Sequence, residues 1–330
     1  MSKRSAIFPR ASLRLSDLIL LATSVHLIIG LAALTLWLAR GSQILFQYYF
    51  AYQDPLFLLL CTGLEFSLTY LAWKQFSPGQ YLRRAWLLIM IAAICHVVGM
   101  LLSHILCQNS YLNPLYVLDV SWYKAATGSM LPLGLVFGGP LHMMALAGGL
   151  FLALRLCRKF GLRAELRWTD WVILGIVVVY TLQVAFVLTR LRLGATPPPH
   201  LFEVVNWAND PLLSMLLFLA FFLRRSVVQM GQGYVTKCWG AYVVAIFGTA
   251  LASLSMWATN FGILPYPESS IVWFFWPVIY AAYALGPAYQ VEAAHVAQGL
   301  PGDRRLNPKL PPVLRDLLHR FVSTRRWRNG

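Results

Sequence analysis

The chain has 330 residues, of which 58% are hydrophobic and only 12% charged. A soluble domain carries about 25% charged residues, and the mean hydropathy here is +0.62. These figures exclude a soluble globular enzyme, a disordered chain and a secreted disulfide scaffold, and they specify a polytopic membrane protein.

A hydrocarbon core about 30 Å thick takes about 20 apolar residues per helix. Eight stretches meet that length, near residues 17–39, 54–73, 85–107, 131–154, 170–191, 210–223, 239–258 and 271–291. The net charge is +15. With the N-terminus inside, 23 of the 27 Lys and Arg fall on one side, leaving Arg40, Lys124, Arg190 and Arg192 opposite. Basic loops stay on the cytoplasmic face. The sequence therefore predicts eight spans in the cell inner (plasma) membrane with both termini cytoplasmic. The basic face would meet anionic lipid headgroups, which accounts for the charge without a nucleic-acid partner.

In chain order, residues 1–16 form a cytoplasmic N-terminal segment and 17–156 a first four-helix membrane bundle. Residues 157–168 form a basic cytoplasmic linker, and 169–292 a second four-helix bundle. The first span is too long for the apolar region of a signal peptide and is read as a retained helix. Residues 293–330 make a basic cytoplasmic tail. Within it Val313, Leu314, Leu317, Leu318 and Phe321 recur at helical spacing, as in a short amphipathic helix on the inner leaflet.

The two bundles resemble each other. Leu13-Arg14-Leu15-Ser16-Asp17 matches Leu166-Arg167-Trp168-Thr169-Asp170. Asp54-Pro55-Leu56 matches Asp210-Pro211-Leu212, and Tyr81 to Trp86 matches Tyr234 to Trp239. Pro140, Ala145 and Gly149 match Pro277, Ala282 and Gly286. Each piece has a local reason. Ser-Asp and Thr-Asp cap a helix and set an acid at its positive end. Asp-Pro reads as a cap before a first-turn proline. Aromatic residues beside Lys or Arg mark an interface. An even number of spans separates the halves, so the repeat is parallel. The expected fold is all-α, with eight transmembrane helices as two tandem parallel four-helix repeats.

Signatures of hydrolases, kinases and nucleotide-binding proteins are absent, and the chain is not expected to be catalytic on its own. The five cysteines show no CxxC or zinc spacing and read as small apolar residues. Four ionisable groups stand out in the first bundle: His26, Glu65, His96 and His142. At about 1.5 Å per residue, they lie about 14, 14, 18 and 20 Å from the cytoplasmic end. Their repeat equivalents are Val179, Phe221, Thr249 and Ile279, so the frame does not need them. Ionisable groups inside a membrane cost several kcal/mol unless partnered.

Four uses stay open on sequence alone: a structural polar network, haem b between His96 and His142, a quinone or proton-relay site, or a metal site. In the haem arrangement Gly99, Gly138 and Gly139 would make room for a planar ring. His26 and Glu65 would lie one layer nearer the cytoplasm, and in the structural network a protonated Glu65 would pair with His26. The functional expectation is an electron-transfer or membrane-anchor component that handles a cofactor or quinone in the first bundle. Its partners would be lipid and other membrane or cytoplasmic subunits. The alternative is a non-catalytic sensor, assembly or structural subunit. A transporter fits less well, because the repeat is parallel and charged pathway residues are few.

Overall fold

The fold is that of a computed structural model. It describes residues 14–41, 44–102, 133–134, 136–176, 178–179, 209–229, 233–260 and 274–297. Every regular element among them is helical. They are α1 (Leu15–Arg40), α2 (Ile44–Tyr48), α3 (Asp54–Lys74), α4 (Tyr81–Met100), α5 (His142–Lys159), α6 (Asn209–Val228), α7 (Tyr234–Asn260) and α8 (Phe275–Ala297). Single π-helical turns, Tyr49–Gln53 and Phe137–Leu141, lead into α3 and α5.

Six helices among the described residues are long and apolar enough to cross a bilayer: α1, α3, α4, Phe137–Lys159, Pro211–Val228 and Tyr234–Ser253. The chain is thus a multi-pass helical membrane protein. Helix α8 runs for 23 residues but carries Tyr280, Tyr283, Gln290 and Glu292. A helix wrapped by other helices need not be apolar all round, and residues 279–288 are buried without a break. The fifth apolar stretch is helical over residues 168–176; most of the rest lies outside the described residues. So do His104, Cys107 and the amphipathic segment of the tail.

Helices α3, α4, α5, α6, α7 and α8 form a closed ring in that order, each against the next, with α8 returning to α3. Helix α1 lies outside, against α8. One continuous apolar core runs through the ring and includes Leu58, Trp86, Leu150, Leu216, Tyr242 and Ala284. Trp86 of α4 meets Trp239 of α7 across it, with ring centroids 5.9 Å apart. The interior is therefore packed at that level.

One end of the ring is basic. Lys74 lies over the Tyr70 ring at 4.5 Å, Arg83 over Trp73 at 4.5 Å and Lys159 over Tyr81 at 5.1 Å. Such pairs suit the membrane–water boundary, where ring and cation both find partners. At the same end α1 is pinned to α8. The Ser16 backbone N–H donates to Glu292 Oε1 at 3.0 Å, and its hydroxyl donates to Oε2 at 3.1 Å. Gly41, at φ 69°, closes the far end of α1 by donating to the Trp37 carbonyl, a left-handed cap that glycine takes without strain.

Candidate functional site: buried carboxylate–imidazole pairs

The interior of the ring holds a polar centre. Helix α3 contributes Glu65, α4 His96, α5 His142, and α8 Tyr280 and Tyr283. The His96 and Glu65 side chains are joined by a 2.7 Å hydrogen bond from Nδ1 to Oε2, and both residues are at most 5% exposed. The His96 and His142 rings lie 4.6 Å apart at 44°. Tyr280 packs on His96 at 4.5 Å, and Tyr283 sets its edge to His142 at 5.2 Å. Tyr280 and Tyr283 are three apart on a helix, hence on one face.

The tautomer of His142 follows from its partner. Nδ1 lies 3.0 Å from the Ala92 carbonyl. A carbonyl only accepts, so Nδ1 carries the hydrogen. Nε2 is buried and has no hydrogen-bond partner among the described residues. The same logic holds for His96 when Glu65 is ionised: Nδ1–H donates to the carboxylate, and among the described residues Nε2 makes no hydrogen bond.

Glycines set this geometry. A Cβ on Gly99 would stand 2.4 Å from the Gly138 nitrogen and 2.5 Å from its Cα. A Cβ on Gly149 would stand 2.5 Å from the Ile89 side chain. Helix α4 and the chain entering α5 therefore touch backbone to backbone, as small residues permit in membranes. The slot expected at Gly99, Gly138 and Gly139 is filled. Gly99 and Gly138 fill it with each other, and Gly139 abuts the Asn209 side chain. Two imidazoles trans across an iron, each nitrogen about 2 Å from it, have centroids about 6 Å apart. At 4.6 Å the pair leaves no room for a planar macrocycle between the rings.

His26 stands elsewhere. Its Nε2 lies 2.9 Å from Asp54 Oδ1 and 2.7 Å from the Tyr49 hydroxyl. Its ring stacks on Phe57 at 4.1 Å and 8°. The expected His26–Glu65 pair is thus replaced by two pairs, His26–Asp54 and His96–Glu65. The cause is the course of the backbone. Asp54 does not cap a free helix end, because Ile44–Tyr48 and the π turn run straight into α3 with αR dihedrals. Pro55 brings no N–H to the helix, and a π turn precedes it. Asp54 consequently lies inside the helical run, turned to α1. Asp54 and Glu65 are 11 residues apart, about 16 Å along the axis, and share the buried face of α3. Cys61 and Tyr280 lie within electrostatic reach of both carboxylates.

The structure thus brings together three of the four sequence candidates and sets His26 in a separate cluster. Sequence reasoning missed Asp54, Tyr49, Tyr280 and Tyr283. Asp54 was masked by its resemblance to a cap. The tyrosines had one signal, their i, i+3 spacing among Ala281, Ala282 and Ala284. Among the described residues no three His, Cys, Asp or Glu side chains gather to hold a metal ion. No family model, curated protein or solved structure matches the chain.

Proposed function

We propose that the chain is an integral membrane electron-transfer component. Its Glu65–His96–His142 centre moves protons as a quinone-like redox partner is reduced or oxidised. One observation carries the reading. A structural polar network satisfies its atoms, because an unpaired buried acceptor costs about 1–3 kcal/mol. Here the central imidazole of His142 keeps a buried Nε2 without a partner among the described residues. It differs from the other such atoms, Trp86 Nε1 and Tyr242 Oη among them, in lying beside a carboxylate–histidine pair that can hold or release a proton.

The same proposal includes eight spans, both termini on the cytoplasmic face of the inner membrane, anionic lipid at the basic end, and partner subunits that supply or accept electrons. It also includes the tandem parallel repeat. Support comes from equivalent residues in equivalent roles. Arg14 N–H donates to Asp17 at 3.2 Å, as Arg167 N–H does to Asp170 at 2.8 Å. Trp86 and Trp239, matched in the two halves, pack on each other, as equivalent residues do at a two-fold axis. The contacts of α5 with α6 and of α8 with α3 are also the same junction when the halves are exchanged.

The test is binding of a short-chain ubiquinone analogue to the full chain in nanodiscs, read by quenching of tryptophan fluorescence. Saturable quenching is expected, with affinity reduced at least tenfold in Glu65→Gln and in His96→Ala. Absence of saturable quenching in the folded chain removes the quinone reading and leaves a non-catalytic membrane subunit as the better description.

A further inference from the structure

The two central histidines share a feature that proton exchange does not require. A metal-ligating histidine almost always donates its non-ligating ring N–H to a carboxylate or a backbone carbonyl. Both partners are present. His96 Nδ1 is bonded to the Glu65 carboxylate at 2.7 Å, and His142 Nδ1 to the Ala92 carbonyl at 3.0 Å. Each bond fixes a ring and leaves Nε2 as the free lone pair. His142 Nε2 is buried and unpartnered, and no hydrogen bond engages His96 Nε2 among the described residues. Two oriented imidazoles, from different helices, thus stand 4.6 Å apart with their donor atoms uncommitted.

That separation selects a geometry. With metal–nitrogen bonds of about 2.0–2.1 Å, each ring centroid lies about 3 Å from the ion, so a trans pair spans about 6 Å and a cis or tetrahedral pair about 4.5–5 Å. The observed centroid distance of 4.6 Å is too short for a trans pair and matches a cis or tetrahedral one. We infer that His96 and His142 form a two-imidazole seat for a single transition-metal ion. Imidazole nitrogen suits copper, zinc, iron and nickel rather than magnesium or calcium. Glu65 has two tasks: it orients His96, and it sets a negative charge beside a cation in a medium of low dielectric, where an unpaired charge is very costly. Two protein ligands leave positions for exchangeable ligands, as in catalytic sites, and the rings of Tyr280 and Tyr283 pack on the two imidazoles.

The inference builds on the reading of this interior as a redox centre, but its test does not use a quinone. The full chain in detergent is stripped with chelator and titrated with Co(II), followed by visible absorbance and by metal analysis after gel filtration. One Co(II) per chain is expected. His142→Ala and His96→Ala lose stoichiometric uptake. Glu65→Gln still binds, but ten- to a hundredfold more weakly, as loss of an orienting partner does. His295→Ala, at the end of α8, binds as the parent does. Cu(II) on the parent chain should show hyperfine coupling to two nitrogens by electron paramagnetic resonance. Two results overturn the inference: no saturable Co(II) on a parent chain that is helical by circular dichroism, or uptake in both histidine variants equal to that of the parent. If metal uptake fails while quinone quenching persists, only the metal seat falls. If metal binds and quinone does not, only the quinone reading falls.

Discussion

One ring nitrogen of His26 faces two oxygens. Nε2 lies within 2.9 Å of Asp54 and 2.7 Å of Tyr49, and it carries at most one hydrogen. That hydrogen is shared between the two oxygens, or a hydroxyl donates to a bare nitrogen. At 4% and 7% exposure, neither His26 nor Asp54 can turn to water instead. Removing one member of such a buried pair costs about 3–5 kcal/mol, whereas replacing both with apolar residues is often close to neutral. His26→Leu alone should therefore destabilise the chain by about that amount, and His26→Leu with Asp54→Leu should recover most of it. Thermal unfolding in detergent measures both. Additive losses would show that the two side chains are not coupled.

At the scale of elements, close helix approach decides where the site residues stand. Helix α4 reaches the π turn ahead of α5 only because Gly99 has no side chain. Gly99→Ala should cost about 1–3 kcal/mol, the usual range for overpacking a tight contact, since its Cβ meets backbone that cannot rotate away. Gly63→Ala is the comparison. Nothing lies within 4 Å of its Cβ position, and alanine favours a helix over glycine by about 1 kcal/mol, so this variant should match or exceed the parent in thermal stability. A Gly99→Ala protein that melts with the parent would show that α4 and α5 can separate freely. The two π turns belong to the same scale. Each precedes a buried ionisable residue, Asp54 or His142, and π-helical bulges are frequent at functional sites.

At the scale of the whole molecule, the alternation of helix direction puts the basic ends of α1, α3, α4, α5, α6 and α7 together. Arg225 of α6 bonds Asp170 at 2.6 Å at that end, joining the start of the fifth apolar stretch to the end of α6. The proposed topology places this end in the cytoplasm. Reporter fusions at Gly330 and at Leu112 should then show opposite sidedness, and matching sidedness would end the eight-span arrangement. The ring also bears on how the proposed site is assembled. The central site draws Glu65, His96 and His142 from the first half of the chain and Tyr280 and Tyr283 from the second, so neither half completes it alone.

Composition and hydrophobic length by themselves determined that the chain is helical, multi-pass and membrane-embedded, because a bilayer tolerates backbone polar groups only when each span satisfies them internally. The identity of the ionisable residues was equally plain: His26, Glu65, His96 and His142 stand out in apolar sequence, and all four are buried. Which of them meet was not legible. Depth counted from the cytoplasmic ends set His26 and Glu65 one layer below His96 and His142, but depth along an axis does not say which way a side chain turns around its helix or which helix it meets. Asp54-Pro55 reads as a cap motif, and the structure continues the helix back through a π turn to Ile44. Partners therefore changed: Asp54 took His26 and Glu65 took His96. The tyrosines of α8 depended on an even longer range, the closure of α8 onto α3, which joins residues more than 200 positions apart. Such contacts arise from packing among six helices at once, and no local periodicity encodes them.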